Sequence, residues 1–189
     1  MARHSVMVRQ VSVLHPFAPD QSPSLVVRVE TVWQATGAMD FSFGVRPGAG
    51  MDTLAGLCLA SQAAPAQRRD GLWRHTCFEA FLGWPGSPRY WELNAAPNGD
   101  WNLYDFSDYR SSPERVDLPR PPQIQLQRRE RDLRCDIHLD LAPAWPEALQ
   151  PEIGLAMVVE NGDGRLSYWA LAHLGDQPDF HDRRTFLTP

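Results

Sequence analysis

Lysine is missing from this 189-residue chain: all 18 of its basic residues are arginine, against 23 acidic residues and a formal net charge of −5. A mildly acidic chain lacks the basic field that attracts nucleic-acid phosphates, so no nucleic-acid partner is expected. The arginine bias itself is explained most simply by a GC-rich genome, although arginine also pairs with carboxylates and stacks on aromatic rings better than lysine does.

Cysteine and long apolar runs are also scarce. The three cysteines are an odd number and include no C-x-x-C pair, so neither a disulfide framework nor a structural zinc site is expected. The longest apolar run, 153–159, is far shorter than the roughly 20 residues that cross a bilayer. Arg9 and Gln10 interrupt the segment where a secretory signal would be apolar. The sequence therefore predicts a cytoplasmic protein with no membrane partner.

Helical periodicity and glycine-rich phosphate motifs are nearly absent, whereas apolar and polar residues alternate along much of the chain. A period of two is typical of strands that bury one face. The clearest example is 133–141, in which Leu, Cys and Ile alternate with charged residues. The predicted strands are 6–14, 25–33, 39–45, 53–60, 75–83, 90–96, 101–106, 123–128, 133–141, 153–160 and 166–173.

Turn residues separate these strands and define their connections. Asn98-Gly99 is the pair favoured in tight hairpins, and with it as the turn centre Glu92 would face Asp105. No repeat or linker divides the chain, so residues 1–189 are predicted to form a single domain. About ten short antiparallel strands predict an all-β fold, specifically an antiparallel two-sheet β-sandwich.

Aromatic and acidic residues are concentrated in one part of the sequence: four of the seven tryptophans lie between Trp73 and Trp101, next to strands that carry acids. We take as candidate ligand-binding residues those that combine stacking with hydrogen bonding to hydroxyl groups. They are Trp73, Glu79, Glu92, Asn94 and Arg110, with Arg110 as the cation that relieves repulsion between facing carboxylates.

This spacing leaves several interpretations open. An aromatic platform beside carboxylates and amides suits a polyhydroxylated, sugar-like ligand. Two carboxylates about 5–9 Å apart would instead be the acid/base pair of a glycoside hydrolase. The same residues could be structural ion pairs, and a flat apolar patch would indicate a protein-interaction module. His173, Asp179 and His181 could hold a divalent metal, but their spacing matches no zinc signature, so no metal site is predicted.

Three runs carry a resemblance to a known family: Leu72–Leu82; Tyr90–Phe106 with Tyr109-Arg110; and Tyr168–His173 with Pro178–His181. Together they resemble bacterial DOMON-like proteins of the MurB-associated branch, in the superfamily that contains family 9 carbohydrate-binding modules. The resemblance spans nearly the whole chain. It implies a jelly-roll or immunoglobulin-like β-sandwich that binds a ligand without being an enzyme in its own right.

Relatives in that superfamily bind sugars or haem, which extends the set of candidate residues. The resemblance matches Trp73 and Glu79 to the tryptophan and glutamate of sugar-binding relatives. It makes Trp169 the second stacking aromatic and places His173 in the same C-terminal run. The haem-binding relatives use Met with His, and no methionine in this sequence matches that pattern clearly. We therefore expect a small polar, carbohydrate-like ligand and no cofactor; the oligomeric state stays open.

Overall fold

The computed structural model describes residues 6–61, 65–146 and 149–188. Within these residues, eleven strands account for most of the regular structure, and three short 3-10 turns, among them Leu72–Arg74 and Arg183–Thr185, accompany them. The strands are β1 (Val6–Pro16), β2 (Leu25–Gln34), β3 (Ala38–Pro47), β4 (Cys77–Gly83), β5 (Tyr90–Ala95), β6 (Trp101–Phe106), β7 (Glu114–Arg115), β8 (Gln123–Arg128), β9 (Leu133–Asp140), β10 (Glu152–Glu160) and β11 (Leu166–Ala170).

All neighbouring strands are antiparallel and form one continuous hydrogen-bonded series in the order β7-β6-β5-β4-β10-β11-β1-β2-β3-β9-β8. Strand β1 is shared, because its N-terminal part pairs with β2 and its end, at His15 and Pro16, pairs with β11. The described residues contain no α-helix. The prediction of an all-β fold is confirmed.

The alternation in the sequence decides which side chains enter the core. On β2, Leu25, Val27 and Val29 are buried while the residues between them are more exposed. The sheet curls so that its two halves share one apolar core, and Phe43 of β3 meets Phe78 of β4 with ring centroids 5.3 Å apart. Burial of this apolar surface is the main favourable contribution to folding.

Both faces of the β4–β10 region are covered. Every residue of β4 is buried, although only every second one can point into the shared core. The other face of β4, β5, β6, β10 and β11, here called the outer face, carries a second apolar cluster that includes Phe81 and Phe106. The C-terminal segment, residues 178–187, packs against this cluster through Phe180 and Phe186.

The β5–β6 hairpin differs by one residue from the expected register. Ala95 lies opposite Trp101, so Glu92 faces Tyr104, and the predicted pairing of Glu92 with Asp105 is wrong. The reason is a three-residue loop with Gly99 at φ 91°, which only glycine adopts readily, in place of a two-residue turn. The Asp105 side chain lies on the other face of the hairpin from Glu92 and forms an ion pair with Arg89.

The predicted strand over 53–60 is also wrong. Leu54 and Leu57 are both buried, three positions apart, and the Leu57 amide donates to the Leu54 carbonyl at 3.1 Å in a turn. Only Leu57 forms an isolated bridge, with Asn161. The segment therefore buries its leucines through a turn, which the approximate alternation of the sequence does not distinguish from a strand.

Candidate functional site

A cavity of about 540 Å³ opens on the outer face of the sheet. Its floor comes from β4, β5, β6, β10 and β11, and its walls come from the Leu72–Arg74 turn, the loop after β6 and the C-terminal segment. This volume lies within the range of about 300–1,000 Å³ that is typical of small-molecule sites. The cavity is large enough for a small ligand.

Two buried glutamates form the polar part of the floor. Glu79 on β4 and Glu92 on β5 are 3% and 6% exposed. Glu79 lies opposite Asn94 and Glu92 lies opposite Phe81, so the two acids are diagonal neighbours on one face of an antiparallel pair. The sequence named both acids as candidate ligand-binding residues, but the expected hairpin register set Glu92 opposite Asp105.

Burial controls the protonation of this pair. It raises the pKa of Glu92 to about 7, against the opposing effects of the Asn94 amide, which donates to Glu92 Oε1 at 2.7 Å, and the charge of Arg110. Burial and, after it, the charge of Glu92 raise the pKa of Glu79 well above its usual range. Desolvation and a neighbouring like charge both disfavour an ionised carboxyl. Near neutral pH the floor therefore holds at least one proton.

A histidine from the C-terminal segment borders the same floor. The Tyr90 hydroxyl accepts from the Arg110 amide at 3.2 Å and lies 2.7 Å from His181 Nδ1, so its own proton is free to bond that nitrogen. His181 Nε2 then carries the ring proton and lies 3.8 Å from Glu92 Oε2. Because burial lowers the pKa of His181 to about 4, this contact is not an ion pair at neutral pH.

Arg110 lies at the rim and is fixed from two sides. Its Nη2 donates to Asp179 Oδ1 of the C-terminal segment at 2.9 Å, and its amide donates to Tyr90. Its φ of 48° makes it the single non-glycine residue with a positive φ in the described part of the chain. That conformation is uncommon for a residue with a Cβ and is maintained by surrounding contacts. Arg110 thus connects the loop after β6 to the C-terminal segment.

Aromatic rings supply the apolar walls. Trp73 is 42% exposed at the mouth, and its ring centroid lies 6.2 Å from that of Tyr104. The Tyr104 hydroxyl donates to Asp70 Oδ1 at 2.7 Å and accepts from Asn102, which fixes the ring against the cavity. Phe106, Tyr168 and Phe180 line the remaining apolar surface.

The structure brings together four of the seven candidate residues. Trp73, Glu79, Glu92 and Arg110 line the cavity, and Asn94 is buried beneath it, bonded to Glu92.

The other two candidates lie elsewhere. Trp169 belongs to the shared core opposite Met157, because its neighbour Tyr168 occupies the outward position on β11. His173 Nε2 lies 2.9 Å from the His15 carbonyl, outside the cavity. No group of three metal-ligating side chains occurs among the residues that the structure describes, so His173 does not join Asp179 and His181 in a cluster.

Sequence reasoning overlooked Tyr104, Tyr168, Phe180 and, as a cavity residue, His181. The period-two pattern contained a usable signal for Tyr104, because Glu92 and Tyr104 share a face once the loop length is known. His181 and Phe180 have no local signal, since they reach the site through the docking of an irregular segment.

The buried acid gives a testable pH dependence of stability. In the unfolded chain Glu79 ionises around pH 4.5, whereas in the folded chain it keeps its proton to higher pH, so the folded state binds more protons and loses stability as pH rises above 4.5. Glu79→Gln removes this effect. We expect the variant to melt at a higher temperature than wild type at pH 8, with a smaller difference at pH 5.

Thermal denaturation followed by circular dichroism at both pH values measures this difference. Glu130→Gln, an exposed carboxyl change, is the control and should follow wild type at both pH values. A Glu79→Gln variant that is less stable than wild type at pH 8 would contradict the expected ionisation behaviour.

The comparisons with known proteins concern the fold. No protein-family model and no curated protein matches the sequence. Among solved structures, the chain is similar to a "putative carbohydrate-binding protein" from Bacteroides uniformis, with a TM-score of 0.61, 10% sequence identity, and coverage of 95% of this chain and 84% of that one. This likeness shows that the two proteins share a fold. In the described residues, no helix is long and apolar enough to cross a membrane.

Proposed function

We propose that this chain is a binding module for a small polar, carbohydrate-like ligand, which occupies the cavity on the outer face. The observation that carries the proposal is the combination of an exposed indole, Trp73, with two buried carboxyl groups, Glu79 and Glu92, around one cavity of about 540 Å³. A sugar ring has C–H faces that pack on aromatic rings and hydroxyl groups that bond carboxyl oxygens. Both kinds of surface are available within the same cavity.

The exposure of Trp73 supports this proposal. Tryptophan is usually well buried, and Trp33, Trp91 and Trp169 are 2–3% exposed in this protein. Trp73 stands at the mouth of the cavity with much of its ring accessible to solvent. A stacked ligand would cover that apolar surface, which is favourable. The carbohydrate-binding description of the Bacteroides uniformis neighbour agrees with the same ligand class.

The catalytic alternative is a glycoside hydrolase, in which one carboxyl group is protonated and the other is ionised as nucleophile or base. Burial raises the pKa of both Glu79 and Glu92, and no described arginine forms an ion pair with either carboxyl. The solved structure that shares this fold is described as a carbohydrate-binding protein. On that ground we propose a module without enzymatic activity of its own.

The finer architecture is part of the proposal. We infer that the two halves of the sheet, joined by β1, form the two layers of a jelly-roll or immunoglobulin-like β-sandwich, because both halves contribute to one core. We also propose that the protein is a DOMON-like module of the superfamily that contains family 9 carbohydrate-binding modules. A cytoplasmic location, the absence of a cofactor and the absence of a nucleic-acid partner remain predictions from the sequence.

Calorimetric titration with a panel of mono- and disaccharides tests the function. At least one saccharide should bind wild type, and Trp73→Ala should weaken that binding by about tenfold or more through loss of the stacking surface. Glu79→Gln should weaken it as well, because the amide replaces one acceptor oxygen with an NH2 donor. The titrations are run at pH 7 on folded protein, with folding checked by circular dichroism.

Two exposed changes outside the cavity serve as controls. Leu174→Ala and Glu130→Gln alter solvent-facing side chains and should bind the saccharide as wild type does. If no saccharide in the panel binds, or if Trp73→Ala and Glu79→Gln both bind as well as wild type, the proposed site and function are wrong.

A further inference from the structure

One buried carboxyl oxygen at the floor of the cavity has no hydrogen-bond partner. Glu79 is 3% exposed, lines the cavity, and its Oε1 has no hydrogen-bond partner. A buried polar atom without a partner is costly, and native structures seldom leave one unsatisfied. Glu92 Oε2 also lacks a hydrogen bond within the described residues, where its one polar contact is His181 Nε2 at 3.8 Å. A ligand that donates hydrogen bonds would supply partners to the two carboxyl groups that line the cavity.

The charges around the two acids favour a positively charged donor. Arg110 and Arg74 lie at the exposed rim, and Arg110 is already paired with Asp179. His181 faces Glu92 as a neutral ring, and the Tyr90 and Tyr104 hydroxyls are engaged with His181 and Asp70. Within the described residues, no arginine or histidine forms an ion pair with Glu79. Two neighbouring carboxyls without a cation between them repel when ionised.

The aromatic walls are compatible with a cation and also with a sugar ring. Trp73, Tyr104 and Phe106 line the cavity that contains the two acids. The negative faces of such rings attract an ammonium group, and this attraction is stronger where water is excluded. Arginine or lysine of the protein could have filled this role, but the chain has no lysine and its nearby arginines are at the rim. The ligand is therefore left to supply the positive charge at the two acids.

We propose that the ligand carries a primary ammonium group, as an amino sugar does, and that this group lies between Glu79 and Glu92. The inference rests on the proposed function and narrows its ligand class. An ammonium has three N–H donors and no acceptor, which matches two acceptor carboxylates. A neutral hydroxyl in the same place would leave the floor protonated, because it brings no positive charge to offset two ionised carboxyls.

Proton release should accompany amine binding. The free floor holds at least one proton near neutral pH, and the ammonium stabilises both carboxylates in the ionised form, so binding displaces protons. Besides Glu79 and Glu92, the titratable or charged groups that line the cavity are Arg74, Tyr104, Arg110, Tyr168 and His181, and Asp179 pairs with Arg110 at the rim. His181 stays neutral above pH 6, so affinity for the amine should rise from pH 6 to pH 7.5.

The test compares matched sugars by calorimetry at pH 7. The panel contains D-glucosamine, D-galactosamine and D-mannosamine, each with its parent hexose and its N-acetyl derivative, which has a similar ring without the charge. At least one amine should bind about tenfold or more tightly than both of its neutral counterparts, because hydrogen bonds to charged groups are the stronger ones. Titration in buffers with different ionisation enthalpies should register proton release for the amine alone.

Two carboxyl variants test whether the preference for the amine over neutral sugars depends on the two acids of the cavity floor. Glu79→Gln and Glu92→Gln keep the side-chain shape and should each reduce the preference for the amine to less than about twofold, while Glu130→Gln retains it. Neutral sugars that bind as tightly as the amines would overturn the ammonium inference and leave the carbohydrate proposal standing. If no sugar of either kind binds, the carbohydrate proposal fails, and this inference fails with it.

Discussion

Arg183→Met is expected to destabilise the protein by about 3 kcal/mol and to abolish ligand binding, because this side chain attaches the C-terminal segment to the sheet. Arg183 Nη1 donates to the Ser87 and Arg89 carbonyls at 2.8 and 2.9 Å. Its Nη2 donates to the Trp84 carbonyl at 3.0 Å and to the Glu152 carboxylate. Hydrogen bonds to charged groups contribute about 1.5–3 kcal/mol each to stability, and bonds that share one side chain are not additive.

The position of Arg183 explains why methionine cannot replace it. A Cβ on Gly83 would lie 2.5 Å from the Arg183 guanidinium, so the sheet leaves space there that the guanidinium group occupies. Methionine keeps the apolar stem but withdraws the charged donor from three carbonyls and from the Glu152 carboxylate. The same segment places His181 and Phe180 at the cavity, so its release removes one wall of the site.

Urea denaturation and calorimetric titration with the bound saccharide measure the two effects. Arg184→Met is the matched control, because among the described residues the exposed Arg184 side chain pairs only with Asp182, its neighbour in the same turn. That variant should stay within about 0.5 kcal/mol of wild type and keep its affinity. If Arg183→Met were as stable as Arg184→Met and bound the ligand normally, the C-terminal segment would not depend on this contact.

Phe43→Ala is expected to cost about 3–5 kcal/mol of unfolding free energy without direct contact to the cavity. Phe43 is fully buried on β3, and its ring centroid lies 5.3 Å from that of Phe78 on β4. Removing the ring forfeits apolar burial and leaves a void where the two halves of the sheet meet. Chemical denaturation followed by tryptophan fluorescence measures the loss.

A double-variant cycle tests whether the two halves depend on each other. If Phe43 and Phe78 stabilise one shared core, the double variant Phe43→Ala with Phe78→Ala should cost at least about 0.5 kcal/mol less than the sum of the single changes. Val13→Ala, an exposed change on β1, should stay within about 0.5 kcal/mol of wild type. Strict additivity of the phenylalanine changes would argue against the sandwich proposal.

The two buried acids have opposite consequences for folding and for binding. Glu79 and Glu92 lower stability as pH rises, because burial opposes their ionisation, yet both occupy the cavity in which we propose that the ligand binds. Functional sites commonly retain groups that reduce stability. Glu79→Gln separates these effects, since the same change is expected to raise the melting temperature at pH 8 and to weaken ligand binding.

The sequence alone determined the local features of this protein. A period of two follows from strand geometry, so the apolar pattern was sufficient to predict the all-β fold and ten of the eleven strands in the described part of the chain. The same pattern indicated that Glu79 and Phe81 share a face, as do Glu92 and Asn94. Trp73, Glu79, Glu92 and Arg110 were recognised from their chemistry, and all four line the cavity.

Only the tertiary structure decided which residues meet across the chain. One additional residue in the β5–β6 loop changed the partner of Glu92 from Asp105 to Tyr104, because register depends on loop geometry. On a strand covered on both faces, alternation does not indicate which face meets the core, so Trp169 entered the core and Tyr168 the cavity. His181 reached the site through an irregular segment docked by long-range contacts, which no local period encodes.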